Sequence, residues 1–253
     1  MYHFFVEPSQ IHTDDNTVVI LGSDVNHIKN VLRMKPGEEI AVSNGGGNGG
    51  DGREYRCGIK ELNEESILCE LRFIKEDGVE LPSRVHLYQG LPKADKMELI
   101  IQKTVELGVA EIIPVAMKRC VVKLDDKKGR QKTERWQAIA EAAAKQSKRG
   151  IIPVVREPIS FAEAVKEASD MEVKLLPYEL AEGMGATRKI LENLPKGADI
   201  AVFIGPEGGF APEEAEAAKA AGIEPVTLGK RILRTETAGL TVMAWIMYQL
   251  EEE

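Results

Sequence analysis

Ile200-Ala201-Val202-Phe203-Ile204-Gly205-Pro206-Glu207-Gly208-Gly209-Phe210, followed by Ala211-Pro212-Glu213-Glu214, decides the fold. The apolar run ending at Ile204 is bounded by glycine, too short for a helix, and rich in β-branched and aromatic residues. That is the composition of a strand buried on both faces, as in parallel sheets. Pro212 suits the first turn of a helix and Gly222 its stop, which predicts a helix over 212–221. Ligands of parallel sheets sit beyond the carboxyl ends of the strands, where Gly205–Phe210 falls. An ordinary tight turn needs one glycine. Adjacent Gly208 and Gly209 let backbone approach a flat ligand, so the loop reads as ligand-facing.

The same alternation extends outward in both directions. Strands are predicted at 85–90 (VHLYQG), 112–116 (IIPVA), 173–179 (VKLLPYE) and 224–229 (EPVTLG). Helices are predicted at 95–107, with Met97, Ile100, Ile101, Thr104 and Val105 at helical spacing, and at 134–147, 161–168 and 236–249. Strand–helix alternation means an α/β domain with a largely parallel sheet. Upstream, VVIL (18–21), EEIAVS (38–43), REYRCGIKEL (53–62) and SILCELRFI (66–74) read as short strands of a small barrel or sandwich, with a short helix near 27–33. Polar residues 75–84, with Gly78 and Pro82, separate the two grammars, giving domains at 1–74 and 83–253.

Bulk properties narrow the class. The chain has 253 residues, 43% hydrophobic and 29% charged, enough for two globular domains. No apolar run approaches the roughly 18–20 residues that span a bilayer, and MYHFFVEPSQ lacks a signal-peptide pattern. Cys57, Cys69 and Cys120 have no CxxC spacing and read as reduced thiols of a cytoplasmic protein. The net charge is −8, yet Lys118–Arg149 carries eleven Lys/Arg against four Asp/Glu, while residues 1–72 carry seven against twelve. A solvated helix face explains such a basic run as readily as RNA contact does.

Other patterns are weaker. Gly45–Gly50 formally matches GxGxxG, but a strand rather than a helix follows, so it reads as a hairpin loop and argues against a dinucleotide oxidoreductase. Histidines 3, 12, 27 and 86 have no metal-ligand spacing, no metal is expected, and no G-x-S-x-G supports serine-hydrolase chemistry. Leu228–Ala238 (LGKRILRTETA) is a second loop leading from a strand into a helix. Thr235 or Thr237 could cap that helix, with Glu236 favourable in its first turn. Lys145, Lys148 and Arg149 suit the end of the preceding long helix by charge alone.

Taken together, KADKMELIIQKTVELGV (93–109), Arg119, EAAAKQSKR (141–149) with Pro153, GPEGGF (205–210) and LGKRILRTETA (228–238) resemble the ribosomal RNA small subunit methyltransferase E family of the SPOUT class. HIKNVLRMKPG (27–37) resembles that family's N-terminal domain. A longer glycine-rich loop at 45–52 and Cys120 in place of serine depart from it. The resemblance implies a PUA-like N-terminal β-barrel and a SPOUT domain with a deep trefoil knot. It implies a homodimer in the cytoplasm, S-adenosylmethionine as cofactor, and methylation of uridine N3 in 16S ribosomal RNA of the small subunit. Carried over, the cofactor pocket comprises Leu176, Pro177, Tyr178, Gly205, Pro206, Glu207, Gly208, Gly209, Leu228, Gly229, Ile232, Leu233 and Ala238.

Uracil N3 becomes nucleophilic once its proton leaves, and the resulting charge spreads onto the carbonyl oxygens. Arg234 is the candidate cation beside them, Glu236 the candidate base, and Glu207 a weaker one. RNA phosphates are expected at Arg119, Lys123, Lys145, Lys148 and Arg149, with Lys93 and Lys96, and on an N-terminal face at Lys29, Arg33 and Lys35. Two alternatives stand beside this reading: a SPOUT enzyme acting on another base or a ribose 2′-hydroxyl, and a non-enzymatic RNA-binding factor.

Overall fold

The computed structural model describes every residue except 47–49, 76–77, 182 and 252–253, and gives no side chain for Asp126. The chain divides into two compact units, Met1–Glu80 with Ala144–Ile152, and Leu81–Ala143 with Pro153–Glu253.

The first unit is built on a six-stranded sheet in the order β1-β4-β5-β6-β3-β2. Its strands are β1 (Tyr2–Phe5), β2 (Ile11–His12), β3 (Thr17–Leu21), β4 (Glu39–Ser43), β5 (Glu54–Leu62) and β6 (Ser66–Lys75). All neighbours are antiparallel except β1 and β4. Alternate residues point inward: Val18 and Ile20, Ile40 and Val42, Cys57 and Ile59, and Ile67 and Cys69 form one apolar core with Ile28. Burial pushes the Cys57 and Cys69 thiols up to about 12, so both stay protonated and inert. After α1 (Ser23–Asn26) the chain makes a π-helical turn over His27–Val31, where one short helix was expected, and Arg33 then takes a left-handed φ of 54°. The 45–52 segment joins β4 to β5 with no helix after it. The Asn44 side chain fixes its flanks, Oδ1 accepting from the Asp51 and Gly52 amides at 3.0 and 2.9 Å, while Gly47, Asn48 and Gly49 lie outside the described residues.

In the second unit every strand pairing is parallel. The strands are β7 (Arg84–Gly90), β8 (Glu111–Ala116), β9 (Val154–Val155), β10 (Ile159–Ser160), β11 (Val173–Pro177), β12 (Asp199–Ile204) and β13 (Glu224–Val226). Their order is β10-β8-β7-β12-β11-β13, with β9 on β8. The helices are α2 (Lys96–Glu106), α3 (Asp126–Ser147), α4 (Phe161–Glu167), α5 (Met184–Glu192), α6 (Pro212–Ala220) and α7 (Thr235–Leu250). On one face Tyr88, Ile113, Val115, Ala201 and Phe203 pack with Phe161 and Ala164 of α4 and Ala215 and Ala218 of α6. Tyr88 and Phe203, opposite each other in register, stack at 4.5 Å. Burying each such side chain contributes about 1.5–3 kcal/mol. α7 packs on α2, α5 and β12.

α3 begins at Asp126, ahead of the expected 134, and its last turn belongs to the first unit. α5, β1, β2, β9 and β10 were not anticipated. The four short strands carry too few residues for a period-2 pattern. Gly183, the N-cap of α5, and Gly185 within it are read as loop signals.

Candidate functional site

The sheet order creates the site. β12, β11 and β13 are neighbours, so the segments after them converge although they are far apart in sequence. Pro177–Glu179, Ile204–Phe210 and Thr227–Thr235, with Ala238 and Lys96, line a cleft of about 510 Å³. That is within the roughly 300–1,000 Å³ of small-ligand pockets.

Glycine is required here for distinct reasons. A Cβ on Gly205 would come within 3.2 Å of the Gly209 backbone, and one on Gly208 within 3.0 Å of the Arg119 Cβ. Gly209 and Gly229 have φ of 65° and 112°, left-handed values that a side chain disfavours. Gly90, at the end of β7, is as constrained: a Cβ there would lie 2.7 Å from the Pro206 nitrogen. Behind the wall, Gln89 ties the loops together. Its Nε2 donates to Thr235 Oγ1 at 2.9 Å and to the Gly90 carbonyl at 3.0 Å. Thr235 Oγ1 donates in turn to the Gly205 carbonyl at 2.6 Å. Neither Thr235 nor Thr237 caps α7: the N-cap is Arg234, without a side-chain cap, because the buried Thr235 hydroxyl serves the Gly205 loop instead.

Charge gathers at one side of the cleft. Lys96 Nζ lies 3.0 Å from Glu207 Oε1 and 3.3 Å from Glu236 Oε2. The Lys93 amide donates to Glu207 Oε1 at 3.0 Å. Burial would raise the Glu207 carboxyl, but the amides of Glu207 and Lys93 and the Lys96 ammonium outweigh it and hold it below the usual range. Lys96 is held above its ordinary value, first by Glu207 and then by Glu236. Arg234 lines the cleft and is exposed, with no ion-pair partner among the described residues. Arg119 donates to the Gly208 carbonyl at 2.9 Å, latching the loop from outside.

Of the residues carried over as a cofactor pocket, all line this cleft but Leu176, which is fully buried in the core because its side chain falls on the inner face of β11. Glu236 is beside the lining through Lys96. The residues proposed for RNA contact fare differently. Arg149 is buried and its guanidinium pairs with Glu80, Nε lying 3.0 Å from Oε2, which removes it from a phosphate-facing role. Lys96 faces two carboxylates. Lys145 lies 3.6 Å from Asp24, and Lys29 Nζ donates to the Asn63 carbonyl at 2.7 Å. Arg33, Lys35, Lys93, Lys123 and Lys148 are exposed. Acidic partners elsewhere offset much of the basic run: Lys118 pairs with Glu213, Arg135 with Glu98, and Lys128 with Asp125.

Sequence reasoning missed Gln89, Gly90 and the role of Lys96. Gln89 is a polar residue closing an apolar strand. Lys96 is a cation in the first turn of a helix, where the dipole disfavours it. Both signals were readable as departures from the pattern.

Comparison with known proteins adds to this geometry. Residues 79–247 match the RNA methyltransferase domain family, and residues 20–72 match the RNA methyltransferase PUA domain family. The chain is 38% identical over 257 residues to ribosomal RNA small subunit methyltransferase E of Bacillus subtilis, covering 99% of this chain and 98% of that one. It is 34% identical to the Synechocystis enzyme of the same name, over 99% of this chain and 78% of the other. The crystal structure of a ribosomal RNA small subunit methyltransferase E from Neisseria gonorrhoeae bound to S-adenosyl methionine is 33% identical, covers 96% of each chain and superposes with a TM-score of 0.80. A methyltransferase domain spanning the cleft, a PUA domain before it, and 38% identity over nearly the whole of both this chain and the Bacillus subtilis relative place this chain in the ribosomal RNA small subunit methyltransferase E family.

Proposed function

We propose that the chain methylates N3 of a uridine in 16S ribosomal RNA of the small subunit, with S-adenosylmethionine in the 510 Å³ cleft. The observation that carries this reading is the convergence of three strand ends, two of them glycine-bearing, on one pocket of ligand size. The pocket fits the cofactor: backbone at Gly205, Gly208 and Gly229 can approach a flat ring, and Leu228 and Leu233 supply apolar walls. When bound, the cofactor supplies an activated methyl on a sulfonium. The protein must then align the base with it, which can contribute about 7–11 kcal/mol, and manage one proton. Arg234, with no ion-pair partner among the described residues, stabilises negative charge on the uracil oxygens, and Glu236 accepts the N3 proton.

Residues 1–74 serve as the RNA-positioning domain and 83–253 as the catalytic one. Arg33, Lys93, Arg119, Lys123 and Lys148 are the phosphate contacts, and the C-terminal segment is threaded as a knot. α7 supports a homodimer: Leu240, Ala244, Trp245 and Met247 are half-buried and Tyr248 is 82% exposed, an apolar face that a second copy would cover. Ribosomal RNA as substrate puts the enzyme in the cytoplasm. No helix among the described residues is long and apolar enough to cross a membrane.

The test is methyl transfer from labelled S-adenosylmethionine to 30S subunits and to naked 16S RNA, with nucleoside identification. N3-methyluridine is expected. A different methylated base, or a 2′-O-methyl product, would move the assignment to another SPOUT activity. Cofactor binding without any product would favour an RNA-binding factor.

A further inference from the structure

The turn between β7 and α2 breaks two local rules at once. Ala94 takes a left-handed φ of 53°, which costs a side-chain-bearing residue about 1–2 kcal/mol. Lys96 puts a cation in the first turn of α2, against the helix dipole. Local violations of this kind concentrate at functional sites. Both have one outcome here: the Lys93 amide and the Lys96 ammonium meet at Glu207, and the same ammonium reaches Glu236. Two carboxylates thus converge on a single cation. Without it, the like charges of Glu207 and Glu236 would repel, which favours retention of a proton.

We propose that Lys96, anchored on Glu207, is a positioning residue for methyl transfer that supplies the countercharge holding the Glu236 carboxylate beside the cleft. The inference rests on the reading of Glu236 as the proton acceptor. In the step it serves, uracil N3 gains the methyl carbon as the methyl–sulfur bond breaks. That bond's electron pair passes to sulfur, and the N3 proton passes to a Glu236 carboxylate oxygen. Glu207 does not compete for the proton, because Oε1 already receives the Lys93 amide and the Lys96 ammonium. The charged groups around Glu236 are Lys96 from α2, Glu207 from the loop after β12, and Arg234 at the start of its own helix. Arg188, Lys189 and Glu192 of α5 make no ion pair with it among the described residues. On α2, Glu98 is engaged by Arg135 and Lys103 by Glu106.

The experiment compares wild type, Lys96→Met, Lys96→Arg, the double variant Lys96→Met/Glu207→Gln, and Glu236→Gln. Each is assayed for kcat against pH at saturating RNA and cofactor. Cofactor affinity is measured by calorimetry, and the carboxyl titration of the ligand-free protein is followed by carbon NMR. In Lys96→Met the acid limb of the pH profile is expected to move up by at least one unit, so that the loss of kcat approaches tenfold well below the limb and vanishes by pH 9. The Glu236 carboxyl should titrate higher, and any change in cofactor affinity at Lys96, a lining residue, should not track the pH limb. Lys96→Arg should restore the limb. The double variant should also restore it, because removing one carboxylate removes the repulsion. If Lys96→Met does not fold, Glu207→Gln alone should leave the limb where it is or lower it. An equal loss of kcat at every pH, or a raised RNA KM with unchanged kcat, would overturn the inference. If Glu236→Gln keeps wild-type kcat, the reading of Glu236 as base has failed, whatever Lys96 does.

Discussion

Each end of the parallel sheet in the second unit holds a basic side chain between two carboxylates, yet the two arrangements differ in what they leave open. At the amino end, His86 Nδ1 lies 2.9 Å from Glu111 Oε2 and Nε2 lies 3.1 Å from Asp199 Oδ1. Strand register delivers these partners: His86 faces Glu111 across β7 and β8, and Asp199 begins the neighbouring β12. His86 is 5% exposed and both ring nitrogens are engaged. At the carboxyl end, Lys96 is partly exposed, Glu236 Oε2 is held by the Lys96 ammonium at 3.3 Å, and Arg234 lines a cleft with no ion-pair partner among the described residues. The first cluster is closed by the backbone ladder. The second joins two helix starts and the loop after β12, and beside it Arg234 has no ion-pair partner among the described residues, the condition of a group held ready for a substrate.

The largest expected effect breaks the open end. Arg234→Ala should lower kcat by about 10²–10³-fold, the range for removing one preorganised donor to developing negative charge. Cofactor affinity by calorimetry should stay within a few-fold, because the glycine walls are untouched. An unchanged kcat at saturating RNA and cofactor would remove Arg234 from the chemistry.

A smaller effect should follow from Gly90→Ala at the same end. The new Cβ meets the Pro206 backbone at 2.7 Å, so the 205–209 turn must shift. Cofactor affinity should fall by about tenfold, equivalent to about 1.4 kcal/mol, while kcat at saturating cofactor changes less. The same substitution at Gly229 tests backbone strain alone, since nothing lies within 4 Å of its Cβ position.

How far the sequence reveals these two ends follows from the kind of information each needs. The carboxyl end announces itself locally: GPEGGF and LGKRILRTETA each follow a strand, lead into a helix and carry their own glycine. Their meeting depends on β11 lying between β12 and β13, which periodicity does not encode. The His86 cluster left no signal. Its members are separated by 25 and 113 residues and join only through register. Arg149 misleads for a related reason. A run of cations at a helix end looks solvent-facing until Glu80, 69 residues upstream, closes on one of them. Leu176 has its side chain in the core rather than the cleft, which leaves only its backbone available to a ligand.

His86→Gln should break the closed end without touching the open one. Burial lowers the His86 pKa, but the hydrogen bonds and charges of Glu111 and Asp199 outweigh it and hold it above its ordinary value. Burial likewise raises Glu111, while His86 and Arg156 more than offset it and hold it low. A raised histidine stabilises fully below its unfolded value of about 6.5 and loses that contribution as pH rises through its folded value. A depressed glutamate contributes above its unfolded value of about 4.3 and loses that as pH falls. The cluster is therefore strongest between those two values. The variant should lose about 1–3 kcal/mol near pH 5.5, the cost of disrupting buried hydrogen bonds, and less at pH 9, as read by denaturant unfolding. kcat should not change where both proteins are folded. A pH-independent loss would mean that packing, not charge, holds this end.

Arg156→Gln carries the smallest effect and sharpens where the closed end stops. The Arg156 guanidinium makes two hydrogen bonds to Glu167, at 2.8 and 3.0 Å, and approaches Glu111 at 3.8 Å. Its side chain is 33% exposed, so solvent and ions screen the pair. Such pairs contribute about 0–1 kcal/mol, and at 0.1 M salt the screening length is already about 10 Å. The loss should therefore stay below about 1 kcal/mol and shrink further as salt is added, because the His86–Glu111 hydrogen bond persists without Arg156. A loss above about 2 kcal/mol that resists salt would show that the guanidinium belongs to the buried lock. The closed end would then extend from the strand register to the α4 surface, rather than ending at Glu111.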